Sequence, residues 1–194
     1  MQHKKVGKEL LAEKAFQLFS ERGYFSTSME NIANACNIEK SSLYHHIASR
    51  SELLMMILNY RIKIAKEYIV AVANQSELTA VERLNKIAKM LEESFLQNNY
   101  YCLLPNLMTE GNQHAPEIIE LIRETFNCLI SPIAHILKEI NTSSTQAQEL
   151  AEDTIAQMYG AVVLSKVYNT PHILKRAMNK LSQLVSSLDP QPVG

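Results

Sequence analysis

Apolar residues recur at three- and four-residue spacing along most of the chain, which is the period of helices with one buried face. Leu11, Ala15, Leu18 and Phe19 mark such a face on a first helix that should run to Arg22, with Gly23 as its stop. Met29, Ile32, Ala33 and Cys36 repeat the pattern at i, i+3, i+4 and i+7 on a second, shorter helix. Asn37 then interrupts it, and Asn tolerates the left-handed backbone that a sharp change of direction needs. In the following segment only Ile38 and Leu43 are strongly apolar, so the third helix is predicted to be short and polar. It carries Lys40, Ser41, Ser42, Tyr44, His45 and His46, with Glu39 as its acid. Thr27 with Glu30 and Ser49 with Glu52 have the Ser/Thr-x-x-Glu spacing of a capping box, which places helix starts near Thr27 and Ser49.

From Ser49 the apolar repeat of Leu53, Leu54, Ile57, Leu58, Ile62, Ala65 and Ile69 runs without Gly or Pro to about Asn74. At 1.5 Å per residue this predicts a helix about 35 to 40 Å long, able to link a head to a body as a rigid lever. Further helices are predicted over Thr79 to Gln97, with Val81, Leu84, Ile87, Ala88, Leu91 and Phe95 inward, and over Tyr100 to Glu110, ended by Gly111. Pro116 suits a first helical turn, and its helix should reach about Ile140, with Pro132 inside as a kink in a pocket wall or an ordinary packing irregularity. Gln146 to Tyr168 and Pro171 to Leu188 close the chain as a helical pair joined through a Thr170 cap. Strand-like alternation is absent. The predicted fold is all-α: a three-helix helix-turn-helix head over residues 1–48 and a helical body over 49–194.

Composition agrees: 46% of the 194 residues are hydrophobic, and Gly and Pro number only 5 and 6. No apolar run approaches the roughly 18 residues of a membrane span, and the opening Met-Gln-His-Lys-Lys-Val-Gly-Lys lacks the apolar core of a signal peptide. A soluble cytoplasmic protein with no membrane partner is the expectation. The net charge of -1 is unevenly divided. Residues 1–50 carry seven Lys/Arg against five acids, and the rest carries 12 against 15. A weakly basic head on an acidic body suits a local contact with nucleic acid.

A helix-turn-helix lays its second helix in the major groove while the first crosses the backbone. Lys40 and the hydroxyls of Ser41, Ser42 and Tyr44 are all able to hydrogen-bond duplex DNA. The N-terminal His3, Lys4, Lys5 and Lys8 are suited either to reaching the DNA or to a solvated helix start. Three stretches together carry a resemblance. They are Leu11-Ala12-Glu13-Lys14-Ala15-Phe16-Gln17-Leu18-Phe19-Ser20-Glu21-Arg22-Gly23-Tyr24, then Thr27-Ser28-Met29-Glu30-Asn31-Ile32-Ala33, then Ser42-Leu43-Tyr44-His45-His46 with Glu52-Leu53-Leu54. They look like the amino-terminal domain of TetR-family repressors, over roughly the first quarter of the chain.

The resemblance implies an all-helical homodimer whose body binds a small-molecule effector and thereby lowers affinity for a DNA operator. It places Lys40, Ser41, Ser42, Tyr44 and His45 on the recognition helix, and Thr27 and Ser28 at a phosphate-contacting helix start. Arg50 stands where the family usually has a Lys. The chain departs from the family pattern in three places: Asn37 replaces the usual turn Gly, Ile47 replaces a usual Phe, and Glu39 sits where a capping Ser or Thr is common, so the recognition helix should be capped less well.

An effector pocket is suggested among Tyr100, Tyr101, Cys102, Leu103, Met108, Phe126, Cys128, Ile133, His135, Met158 and Tyr159, although such residues at helical spacing also build plain cores. Of these, Tyr101, Cys102, Met108, Phe126, His135, Met158 and Tyr159 are the preferred lining, and a hydrophobic or aromatic effector follows from them. The apolar stripes of the last two helices would either close the protomer's own core or, as the resemblance implies, form a four-helix interface with a second copy. For the latter the candidates are Met158, Val162, Ile173, Ala177, Leu181 and Leu184.

Nothing marks an enzyme. There is no glycine-rich phosphate loop, HExxH or GxSxG, and Cys36, Cys102 and Cys128 have no CxxC spacing, so no catalytic residue, cofactor or metal is expected. Two alternatives stay open. One is a helical protein-interaction module, whose DNA affinity would be weak and insensitive to salt. The other is a redox sensor using Cys102 or Cys128.

Overall fold

Three local devices shape the first fifty residues in the computed structural model, which describes residues 7–98, 103–109, 114–140 and 142–188. Helix α1 (Lys8–Arg22) ends on Gly23, whose φ of 88° is open to glycine and costly for most residues. Its buried face is Leu11, Ala12, Ala15, Phe16 and Phe19, while Leu18 is only half-buried; the face is centred one position away from the predicted one. Helix α2 (Met29–Ala35) buries Met29, Ile32 and Ala33, and Cys36 follows them inward, as the spacing predicts.

The turn after α2 closes by a pair of nested bonds. The Ile38 amide donates to the Ala33 carbonyl at 3.0 Å and the Asn37 amide to the Asn34 carbonyl at 3.0 Å, with Asn37 at φ 53°. This is a Schellman closure with Asn in the left-handed position that Gly usually takes. Asn37→Val should therefore lower stability by about 1–2 kcal/mol, since a branched side chain resists that backbone, and Asn37→Gly should be neutral or slightly stabilising. Thermal unfolding of the two variants checks this; equal midpoints would remove the strain argument. The same closure recurs after α9, where Thr170 donates to the Ser165 carbonyl at 2.9 Å and Asn169 has φ 48°.

Helix α3 (Lys40–Tyr44) follows, then α4 (Arg50–Ala65). The α4 start is capped as predicted by Ser49, whose Oγ accepts from the Glu52 amide at 3.1 Å; the returning bond goes to the Ala48 amide, one residue earlier than in a standard box. Helical backbone continues past α4 through a π-helical turn (Lys66–Val70) into α5 (Ala71–Ala73), so the long helix ends where the sequence predicts. The π-turn was not signalled by the apolar spacing. All seven apolar positions expected inward from Leu53 to Ile69 are buried.

The remaining helices are α6 (Ala80–Asn98), α7 (Leu103–Thr109), α8 (Pro116–Lys138), α9 (Ser144–Val167) and α10 (His172–Leu188). Thr79 caps α6 with a reciprocal pair: its Oγ1 accepts from the Glu82 amide, and Glu82 Oε2 accepts from the Thr79 amide at 2.8 Å. The Thr79 amide, and then the Thr79 hydroxyl donating to the same oxygen at 2.9 Å, hold the Glu82 carboxyl below its ordinary value. Pro132 lies inside α8 without ending it, on a stretch where it, Ile133 and Ala134 are buried. Every regular element among the described residues is helical, and no helix there is long and apolar enough to cross a membrane.

The chain divides into two compact units, Met1–Lys63 with Asn98–Thr125 and Ile64–Gln97 with Phe126–Gly194. In the first, α1 packs on α2 and on α7, around a core of Leu11, Phe19, Ile32, Leu43, Leu53, Ile57, Leu103 and Leu107. The Arg61 guanidinium lies over the Phe16 ring at 4.9 Å, a cation–π contact that closes one edge of that core. In the second, α10 packs back on α9 and the buried faces of α6, α8 and α9 supply Leu84, Ile87, Leu91, Ile133, Leu137, Ala151, Ile155 and Met158.

Candidate nucleic-acid interface

The predicted polar helix exists, and its burial pattern shows how it is held. Leu43 is the buried residue of α3 and, with Ile47 beyond it, pins the segment to the core. Lys40, Ser41, Tyr44 and His45 are exposed, Tyr44 at 47%, and Ser42 and His46 are half-exposed. A five-residue helix carries little stability of its own, so this packing, the α2–α3 turn and the capped α4 start are what keep it in place. The expectation for Glu39 holds: it occupies the N-cap position of α3 without a side-chain cap bond, and its carboxylate instead accepts from Ser41 Oγ at 3.4 Å.

The start of α2 differs from prediction. Thr27 is 0% exposed and its hydroxyl donates to the Gly23 carbonyl at 2.8 Å, so it can neither cap α2 nor reach a phosphate. The N-cap is Ser28, whose Oγ accepts from the Asn31 amide at 3.1 Å while the Ser28 amide donates to Asn31 Oδ1 at 3.0 Å. Asn31 is thus the capping partner the sequence reading missed. A Ser-x-x-Asn box shifted by one residue was visible in the sequence, and the burial that removes Thr27 from competition was not. Ser28 stays exposed at the positive end of α2, where an anion is favoured.

Arg50 is half-buried, with its guanidinium turned back on the α1–α2 turn. It donates to the Phe25 carbonyl at 3.3 Å and sits 5.5 Å from the Tyr24 ring centroid. It braces the turn that precedes α2. The result is a patch in which one hydroxyl-bearing helix start and one exposed helix carrying a lysine, a tyrosine, a serine and a histidine share the surface of a single three-helix unit. Such donors are suited to phosphate oxygens and base edges.

The residues chosen as effector lining are divided between the two units, and some lie outside the described residues. Tyr101 and Cys102, and Tyr100 beside them, lie outside the described residues. Met108 is exposed on α7 in the first unit. In the second unit, Phe126 and the buried Tyr159 have ring centroids 5.3 Å apart, and Phe95 meets Tyr159 edge-on at 6.0 Å; Met158 is fully buried. His135 belongs elsewhere, on an open polar groove with Arg83, Glu139, Asn74, Ser76 and Thr79, and its Nε2 lies 3.6 Å from Glu139 Oε1. Cys36 and Cys128 are both buried, and burial pushes the Cys36 thiol up.

The interface set also needs correction. Met158 and Val162 are buried inside the protomer and so belong to its own core. Helix α9 has apolar residues on two faces, and the sequence pattern alone does not say which turns inward. The outward face carries Val163, Leu164, Val167 and Tyr168, the last two 70% and 67% exposed. On α10, Ile173 and Ala177 are half-buried, while the side chains of Leu181 and Leu184 lie outside the described residues.

Comparison with known proteins agrees with this geometry. Residues 11–55 match the model for bacterial regulatory proteins of the tetR family, and residues 80–180 match that for the LmrA/YxaF-like transcriptional regulator C-terminal domain. The chain is similar to the HTH-type transcriptional repressor DhaR of Mycobacterium sp. (strain GP1), 24% identical over 81% of each chain. It is also similar to the HTH-type regulator YuxN of Bacillus subtilis, 41% identical over 56 residues; that match takes in 29% of this chain and spans only 19% of YuxN. Its fold is that of a TetR transcriptional regulator from Legionella pneumophila, with a TM-score of 0.83, 20% identity, and coverage of 94% of this chain and 99% of that one. With one family model spanning more than half its length and the tetR-type head in front of it, the chain belongs to the TetR family of transcriptional regulators.

Proposed function

We propose that the protein is a transcriptional repressor that binds a near-palindromic DNA operator as a homodimer and is released by a small apolar or aromatic molecule. Functionally, residues 1–48 meet the DNA, and residues 49–194 bind the effector and the second protomer. The observation that carries this reading is α3: a short, exposed, donor-bearing helix pinned by one buried leucine at the end of a tight turn. Lys40, Ser41, Ser42, Tyr44 and His45 are its proposed DNA contacts, with Ser28 at the phosphates. Selection of bound duplexes from random DNA tests it. The expected product has two related half-sites about one helical turn apart, bound with an affinity that falls steeply as salt rises. Failure to enrich any sequence, with binding indifferent to salt, would favour a protein-interaction module.

The exposed apolar face of α9 supports dimerisation, because a row of Val163, Leu164, Val167 and Tyr168 is a patch that a second copy would cover. Val163→Asp with Val167→Asp should convert a dimer to monomers in light scattering while helical content is retained; a persistent dimer would move the interface elsewhere. For the effector, the Phe95, Phe126 and Tyr159 rings support an aromatic or apolar class.

A further inference from the structure

Residues far along the chain pack into the first unit, and one of them meets the turn that sets the start of α2. His114 Nε2 donates to the Leu107 carbonyl at 2.9 Å, which fixes the ring against α7. The same ring lies 5.7 Å from the Phe25 ring, nearly parallel at 29°, and 5.6 Å from the Tyr24 ring. Tyr24 and Phe25 are themselves edge-to-face at 5.0 Å, and Tyr24 is edge-to-face with Phe19 of α1, also at 5.0 Å. Arg50 holds the same two residues through its bond to the Phe25 carbonyl and its seat over the Tyr24 ring. The α1–α2 turn is thus gripped by His114 from the α7–α8 segment and by Arg50 from the start of α4.

We propose that His114 is a positioning residue for DNA binding: its imidazole, tied to α7, holds Tyr24 and Phe25 so that Ser28 and α2 are presented at the angle α3 requires. Phe25 is 44% exposed, so a ring stacked beside it bears on how well the turn is ordered. The turn leads within three residues to the Ser28 cap, so disorder there loosens the α2 start directly. A displacement of Leu107 would pass to DNA affinity through this ring. The inference rests on the DNA-binding reading given above and adds a residue 90 positions from the turn it controls.

The test uses the full-length chain with His114→Ala, His114→Phe and His114→Gln, the second keeping a ring and the third a donor. Binding to a duplex selected by the wild-type protein, dimer mass, and hydrogen exchange of the amides of residues 25–32 are measured together. His114→Ala should weaken binding roughly two- to thirtyfold and speed exchange across that segment, with helical content and dimer mass unchanged. Each of the other two should restore part of both. Wild-type affinity in His114→Ala, or unchanged exchange at residues 25–32, would overturn the assignment. If the wild-type protein selected no duplex, the DNA-binding reading would fail by itself, and exchange would still decide whether His114 orders the turn. A global loss of helix in His114→Ala would be separated by His114→Phe, which keeps the ring and lacks the donor: a folded His114→Phe that exchanges as fast as an unanchored turn counts against the role given to the stacked ring.

Discussion

Replacing Tyr44 by alanine is expected to weaken binding to the selected operator by roughly thirtyfold or more. A good base-edge contact is worth about 1–3 kcal/mol, and in the proposed two-fold dimer it is lost twice. Tyr44 is exposed and Leu43 holds α3, so the fold should survive the substitution unchanged. Lys40→Ala should behave differently if its partner is a phosphate. Affinity should fall for all duplexes alike, and the slope of log affinity against log salt should shrink by about 2 for the pair of lysines. Leu43→Ala is the structural control and should destabilise the head by about 2–5 kcal/mol. Undiminished affinity in Tyr44→Ala would remove α3 from the interface.

The second large effect concerns stability. The Arg83 side chain is 6% exposed and makes three bonds: Nη1 donates to the Ala73 carbonyl at 2.8 Å and to Glu139 Oε1 at 3.0 Å, and Nη2 donates to Glu139 Oε2. One guanidinium thereby ties the end of the long helix, α6 and the residue following α8. Arg83→Met should cost about 2–4 kcal/mol, somewhat below the figure for a fully buried pair, because Glu139 retains access to water and can rehydrate. In a chain of this size that is a fall of about 5–15 °C in Tm.

The pH dependence follows from the same contact. The hydrogen bond from Arg83, and then the charges of Arg83 and His135, hold the Glu139 carboxyl below its ordinary value. A carboxyl with a folded pKa below its unfolded one stabilises fully above the unfolded value, and that contribution is lost as pH falls through the folded one. Wild-type Tm should therefore fall as the solution is acidified below the ordinary carboxylate range. The Arg83→Met curve should be flatter there. A Tm within a degree of wild type, or parallel acid limbs, would show that the pair contributes little.

Arg83 also illustrates what patterning misses. It sits among the inward positions of α6, between Glu82 and Leu84, and nothing in its neighbours marks it as buried. Its partners lie 10 and 56 residues away. Thr27 shows the converse: a hydroxyl in a good capping pattern was spoken for by a carbonyl four residues earlier.

The sequence by itself determined the helices, because helical period, capping residues and breakers act within a few residues of one another. It determined the α2–α3 turn at Asn37 and the polar character of α3, which together with the three amino-terminal stretches made the family legible. Tertiary structure decided which of two apolar faces of α9 turns inward, and so moved Met158 and Val162 into the core. It decided that Tyr24, Phe25, Arg50 and His114 meet, and that Phe126 and Tyr159 share a cluster with Phe95. These are contacts between residues distant in the chain, chosen by packing and by competition for buried polar groups, and local pattern carries no record of either.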